Sequence, residues 1–332
     1  MILFNNFQDT IFVKESSDLE SKYNALSKLV DENPNNEDIK QALYIVKKGL
    51  EGEKEIAYQL KKSNLGLYVL HDINLEYEDM KAQIDYVVIS KAYTYFIECK
   101  NLYGNINVNE NGDFIRTYLY NGKQYKKGIY SPLRQVEAQR DVYKKIWNNS
   151  LSSNKFFNSV RRAIAGPHFE EYRKVLVVAA NHDTILNTRF APKNVRNKVI
   201  RSDALVSRLK QDIENSDKTM WSSQKDMEEA AKFFMSINVD KDNNYYEYYK
   251  NKFMVESIVN IDEENLREKL IEFRKQRSTE MNIPAYYVFN NEELDKIIEY
   301  KPNNLEGLIP ILTEIKVKTH GKKIIELLNS IY

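Results

Sequence analysis

Gln83-Ile84-Asp85-Tyr86-Val87-Val88-Ile89 and, after a short turn, Tyr95-Phe96-Ile97-Glu98-Cys99-Lys100-Asn101 decide the reading of this chain. Both runs are apolar at consecutive positions, the pattern of central strands covered on both faces. Each nonetheless carries a carboxylate. Burying an uncompensated carboxylate is costly, so a sequence that does so twice supplies compensation. A divalent cation is the simplest one, since Mg²⁺ binds through one or two carboxylates and completes its shell with phosphate oxygens and water. Glu98 and Lys100 stand two apart and point to one face of their strand, while Ile97 and Cys99 point to the other. An acid, a base and a cation site thereby share one spot.

Working outward, Leu67 to Leu75 reads as a preceding strand. Asn111-Gly112 and Asn121-Gly122 are hairpin turn signals that bracket a strand from Phe114 to Tyr120. Pro132 suits the first turn of a helix that runs to about Trp147. Val175 to Ala180 and Val199-Ile200 read as further strands. Ser202-Asp203 can cap a helix to about Ile213. Before the strands, residues 15–62 show helical spacing, broken by Asn33-Pro34-Asn35-Asn36, with Gly49 and Gly52 preceding a helix from Glu53 to Lys62. The expected fold class is α/β, a mixed sheet flanked by helices, with a small all-α bundle at the C-terminus. Four segments are expected: an N-terminal helical segment (1–48), the α/β domain (49–214), a linker with one helix at about 224–234 (215–262) and the helical bundle (263–332).

The order Asp85…Glu98-x-Lys100 resembles the signature of the PD-(D/E)XK nuclease superfamily. Within it the chain resembles the nuclease-related domain (NERD). The resemblance rests on Gly49-Leu50-Glu51-Gly52-Glu53, Gln83-Ile84-Asp85, Ile97-Glu98-Cys99-Lys100-Asn101 with Gly104, and Ser131-Pro132-Leu133-Arg134-Gln135. Ser131 departs from the Asn more often expected before that proline. The resemblance implies a restriction-endonuclease-like sheet and metal-dependent hydrolysis of phosphodiesters, with DNA as the expected substrate. It implies that Asp85 and Glu98 ligate Mg²⁺ or Mn²⁺, that Glu53 reaches the metal from the first helix, that Lys100 positions water and stabilises charge, and that Gln135 helps orient water or phosphate. Gln139 and Tyr143, at i and i+4, form a Gln-x-x-x-Tyr spacing similar to that of RecB-like nucleases, although packing explains Tyr143 equally well.

Residues 285–332, with a preceding helix from Glu263 to about Thr279, resemble an HRDC (helicase and RNase D C-terminal) domain. The quoted stretches are Ala285-Tyr286-Tyr287-Val288-Phe289-Asn290-Asn291, Pro302 and Gly321-Lys322-Lys323-Ile324-Ile325. The family often carries Gly-x-Gly before the last helix, where this chain reads Leu312-Thr313-Glu314-Ile315. The resemblance implies binding of nucleic acid or of protein, and Lys316, Lys318, Lys322 and Lys323 are its candidate phosphate contacts.

A net charge of +1 hides an asymmetry: residues 114–174 hold 13 Lys/Arg against 4 Asp/Glu, and residues 1–80 hold 9 against 15. A basic block in a neutral protein suits a phosphate-binding surface. Lys144, Lys145, Arg161 and Arg162 are its candidate contacts. The single cysteine, Cys99, excludes a disulfide framework and a Cys-rich zinc site, and the four histidines show no ligand spacing. No apolar run approaches a membrane span and no signal peptide is visible, so a cytoplasmic protein without membrane contact is expected. No phosphate-binding Walker loop appears, so any ATP hydrolysis requires a helicase or other ATPase in trans. Three functions remain open: a nuclease in defence against foreign DNA or in repair, a non-catalytic nucleic-acid-binding adaptor, and a helicase-recruiting module.

Overall fold

The computed structural model describes residues 7–152, 168–241 and 243–331, which divide into two units, Met1–Tyr246 and Glu247–Tyr332. In the first unit, β1 (Thr10–Lys14), β2 (Leu67–Tyr77), β3 (Met80–Ile89), β4 (Thr94–Lys100), β8 (Arg173–Ala179) and β10 (Val199–Arg201) form a six-stranded mixed sheet in the order β1-β2-β3-β4-β8-β10. β2, β3 and β4 pair antiparallel, whereas β1 with β2, β4 with β8, and β8 with β10 are parallel. A second sheet runs β7 (Lys123–Ile129), β6 (Phe114–Tyr120), β5 (Asn105–Val108), β9 (Leu186–Asn187). The fold is mixed α/β, as expected, and a helical region follows it.

Helices cover both faces of the large sheet. On one face, Ile56 and Leu60 of α2 (Glu37–Lys61) and Leu205 and Leu209 of the helix Leu205–Glu214 pack on Val69, Val88, Tyr95 and Ile97. On the other, Leu133, Val136 and Tyr143 of α3 (Pro132–Ser152) and Phe233 and Phe234 of the helix Gln224–Ile237 pack on Leu70, Val87, Phe96 and Val175. The latter helix, read from sequence as part of a linker, thus buries its apolar side in the core.

Two expected boundaries differ. The helix expected to start at Glu53 is the second half of α2, which runs unbroken from Glu37 through Gly49 and Gly52. Glycine ordinarily weakens a helix interior by about 0.5–1 kcal/mol, and here close packing requires it. A Cβ on Gly52 would fall 2.6 Å from Asn101 Cβ and 3.2 Å from Cys99 Sγ, and one on Gly49 would fall 3.0 Å from Leu19 Cδ1. Gly49 admits α1 (Asp18–Glu32) and Gly52 admits β4. At the other boundary, the helix expected to begin at Glu263 starts earlier, as the helix Tyr245–Met281.

The second unit is all-helical. Leu266 and Leu270 pack with Val288, Phe289, Leu294, Ile297, Leu308, Ile324 and Leu328 around one core. Asn290 caps the helix Asn291–Tyr300 in a reciprocal pair with Glu293.

Candidate active site

β3 and β4 pair regularly only as far as Tyr86 opposite Ile97. Beyond that point they diverge, and Asp85 Oδ2 accepts the Cys99 backbone N–H at 2.7 Å. The carboxylate thus satisfies a donor that a continuing ladder would have used. Side-chain alternation also slips here. Ile84 faces the α3 side of the sheet and Tyr86 the α2 side, although they are two residues apart. The same slip occurs across the ladder between His71 and Ile73, where Asp72 has a φ of +55°. A short polar residue tolerates that conformation. Asp72 is also tied down: its carboxylate accepts from the Asp18 backbone N–H at 2.6 Å and from Gln83 Nε2 at 2.7 Å. Gln83 therefore serves the site by bracing this irregularity.

Glu98 and Lys100 share the α3 face of β4, as their spacing predicts. Lys100 Nζ donates to Glu98 Oε1 at 2.5 Å and to Gln135 Oε1 at 3.2 Å, and Gln139 Nε2 donates to Glu98 Oε2 at 3.0 Å. The match is geometric. Residues i and i+2 of a strand rise about 6.6 Å, and i and i+4 of a helix about 6 Å. Gln135 and Gln139 therefore meet Lys100 and Glu98 one to one, with α3 antiparallel to β4. Ser131 starts this helix: its Oγ accepts the Arg134 N–H at 3.3 Å, and Pro132 follows. The serine that departs from the family pattern thereby performs a helix cap.

Glu53 approaches from the α2 side. Its Oε2 lies 2.8 Å from His71 Nε2, both side chains are buried, and His71 Nδ1 lies 3.0 Å from the Glu15 carbonyl oxygen. The His71 ring stacks on Tyr86 at 4.3 Å, and the Tyr86 hydroxyl donates to the Glu53 carbonyl oxygen at 2.8 Å. Burial and the negative charges of Glu98 and Glu53 hold the Asp85 carboxyl well above its usual range, against the pull of the Cys99 N–H and Lys100. Burial likewise raises the Cys99 thiol, a free, half-buried cysteine.

Glu53, Asp85, Glu98, Lys100 and Gln135 are thus neighbours. His71 and the full part played by Gln139 escaped the sequence reading. Gln139 stood out only through its spacing to Tyr143, and that tyrosine lies in the core, stacked on Phe234 at 4.5 Å. No sequence signal distinguishes His71.

The oxygen donors suit a hard divalent cation. Asp85 is held too basic for a relaxed carboxylate, and Gln139 Oε1 is buried without a hydrogen-bond partner among the described residues. No three His, Cys, Asp or Glu side chains form a ready metal cage among the described residues. Glu53 is engaged by His71, as Glu98 is by Lys100 and Gln139.

Of the basic candidates, Lys144 pairs with Glu170 at 3.3 Å, and Lys145 is exposed with its Nζ 3.2 Å from Met80 Sδ. Arg161 and Arg162 lie outside the described residues. In the second unit Lys316 pairs with Glu293 at 2.6 Å and is mostly buried, Lys323 lies 3.7 Å from Glu280, and Lys318 and Lys322 are exposed. His320 is buried beside them. No helix among the described residues is long and apolar enough to cross a membrane.

Residues 48–164 match the family model of the nuclease-related domain, and residues 263–328 match that of the HRDC domain. No curated protein and no solved structure matches the chain. The chain carries a nuclease-related domain followed by an HRDC domain, a type of module that binds nucleic acid.

Proposed function

We propose that the chain is a metal-dependent nuclease that hydrolyses phosphodiester bonds of DNA. One observation carries the reading: a carboxylate pair, half-buried Asp85 and fully buried Glu98, sits beside a lysine whose amine is held between Glu98 and Gln135. Asp85 and Glu98 would hold Mg²⁺ or Mn²⁺, with Glu53 adding negative charge from α2. Bound there, such an ion supplies charge neutralisation and activation of water.

The chain's own residues do the rest. Lys100 offers a positive charge and three donors to the attacked phosphate and the incoming water. The Gln135 amide fixes where that amine sits, and Gln139 fixes the Glu98 carboxylate. Mg²⁺ commonly takes only one or two protein carboxylates and leaves the remaining positions to phosphate and water, so a two-carboxylate site is sufficient.

A second reading, non-catalytic nucleic-acid binding through the same cleft, draws on the closure of the Glu98–Lys100–Gln139 network. Incubating the full chain with circular and linear, single- and double-stranded DNA separates the two. A nuclease cuts at least one form in Mg²⁺ and none in EDTA. Binding without cutting in Mg²⁺ or Mn²⁺ would establish the second reading.

A further inference from the structure

The hairpin β6–β7 is the least buried part of the second sheet, and β7 is its edge strand. Its register sets Arg116 opposite Lys127, Tyr118 opposite Tyr125 and Tyr120 opposite Lys123. These six side chains lie on one face because they alternate along both strands. At the root of that face Phe114 is buried and Ile129 packs on the core. Toward the tip the same face passes into solvent.

There Tyr118 and Tyr125 stack at 5.6 Å, Tyr120 meets Tyr125 edge-on at 6.3 Å, and the Arg116 guanidinium lies 4.6 Å from the Tyr118 ring centre. Tyr120 is 62% exposed and Tyr125 43%. Residues 114–131 contain no Asp or Glu. No ion pair engages Lys123, Lys126 or Lys127 among the described residues. Nothing lies within 4 Å of where a Cβ would stand on Gly122 or Gly128, so the ribbon backbone is open to approach.

Chain placement ties this ribbon to the site. β5 begins five residues after Lys100, and β7 ends six residues before Gln135. Gly104, with a φ of +97°, seats the root, because a Cβ there would fall 2.4 Å from the Thr117 carbonyl oxygen. Edge-strand lysines also discourage strand pairing between molecules. That role calls for charge and has no use for exposed tyrosines.

We infer that the Tyr118–Tyr120–Tyr125 face of the hairpin, framed by Arg116, Lys123 and Lys127, binds single-stranded nucleic acid by stacking unpaired bases on its tyrosines while the cations follow the phosphates. Positive charge without acids gives the complementarity to a polyanion. The exposed rings select unpaired bases, because a duplex keeps its base faces covered. The inference deepens the nuclease reading by naming the substrate form presented to the same site.

The test is fluorescence anisotropy of a labelled oligothymidine and of a duplex of equal length. It uses the full chain in EDTA, so that binding is scored without cleavage. Tyr120→Ala/Tyr125→Ala should weaken single-strand binding by about tenfold or more and change duplex binding by less than about threefold. Tyr120→Phe/Tyr125→Phe should restore the single strand, since it keeps the rings. Lys123→Gln/Lys127→Gln should reduce the salt slope by about 0.7 per lysine. Single-strand affinity unchanged in the Ala variant, equal losses on both ligands, or no rescue by Phe would each overturn the inference. A chain that passes these arms but never cuts DNA in Mg²⁺ would contradict the nuclease reading and leave the ribbon's role standing.

Discussion

Asp85 bears the electrostatic cost of the site. Its folded-state pKa stands above that of the unfolded chain, so the native state binds more protons between the two values. Stability therefore falls as pH rises from the unfolded value through the folded one, and the penalty is fully present above the folded value. Burial is the largest cause and Glu98 the next. Asp85→Asn removes the charge and keeps an acceptor for the Cys99 N–H. The variant should melt higher than the parent at pH 8, and the difference should shrink as pH is lowered toward 4. Each kcal/mol recovered is worth about 2–4 °C in a domain of this size. Added Mg²⁺ should raise the parent's Tm and leave the variant's unchanged. A variant that melts lower than the parent at pH 8 would show that the carboxylate is compensated without a cation. At this scale the sequence was readable where two types of evidence coincided, an acid set in an apolar run and a lysine two residues on. It was silent on His71, because a lone histidine in a strand looks the same whether it braces a glutamate or merely fills a core.

Among the elements, the central strands, α3 and the helix Leu205–Glu214 were legible because each carries a periodic apolar face bounded by turn or cap residues. β7 was not, since Lys123–Ile129 is nearly all exposed and polar and has no apolar alternation to read. The slip at Asp72 and Asp85 was invisible as well. A positive φ at Asp72 reverses the facing of Ile73 relative to His71 without changing a letter of the pattern. The glycines of α2 misled for a related reason: they read as a helix boundary, yet they stand mid-helix to let α1 and β4 approach. Alanine in place of a mid-helix glycine ordinarily stabilises by about 0.5–1 kcal/mol. At Gly52 the added methyl overlaps Asn101 at 2.6 Å, and overpacking of that kind costs about 1–3 kcal/mol. Gly52→Ala should therefore lower the Tm and the urea midpoint. A higher midpoint in Gly52→Ala would show that α2 does not need this approach.

Across the whole molecule, the chemistry-bearing residues belong to the unit Met1–Tyr246, and the HRDC match lies within Glu247–Tyr332. Among the described residues, the second unit offers no carboxylate pair in an apolar strand, and one of its four candidate lysines, Lys316, is mostly buried against Glu293. Its contribution is expected to be affinity: a tethered second contact raises effective concentration without adding a catalytic group. A chain ending at Tyr246 should cut at high protein concentration with a reduced apparent affinity. Cleavage curves that superimpose on those of the full chain would move the role of the HRDC domain to a protein partner.

The central claim, that Glu98 and its neighbours form a metal-dependent hydrolytic site, is tested most directly by single-turnover cleavage of end-labelled DNA in Mg²⁺ by the parent and by Glu98→Gln. Glutamine keeps the size of the side chain and an acceptor for Lys100, so the fold is expected to persist by circular dichroism and melting. The account predicts that the parent cuts in Mg²⁺ and stops in EDTA, and that Glu98→Gln is slower by about a hundredfold or more. Glu98→Gln cutting at the parental rate, or a parent that cuts equally in EDTA, would contradict it.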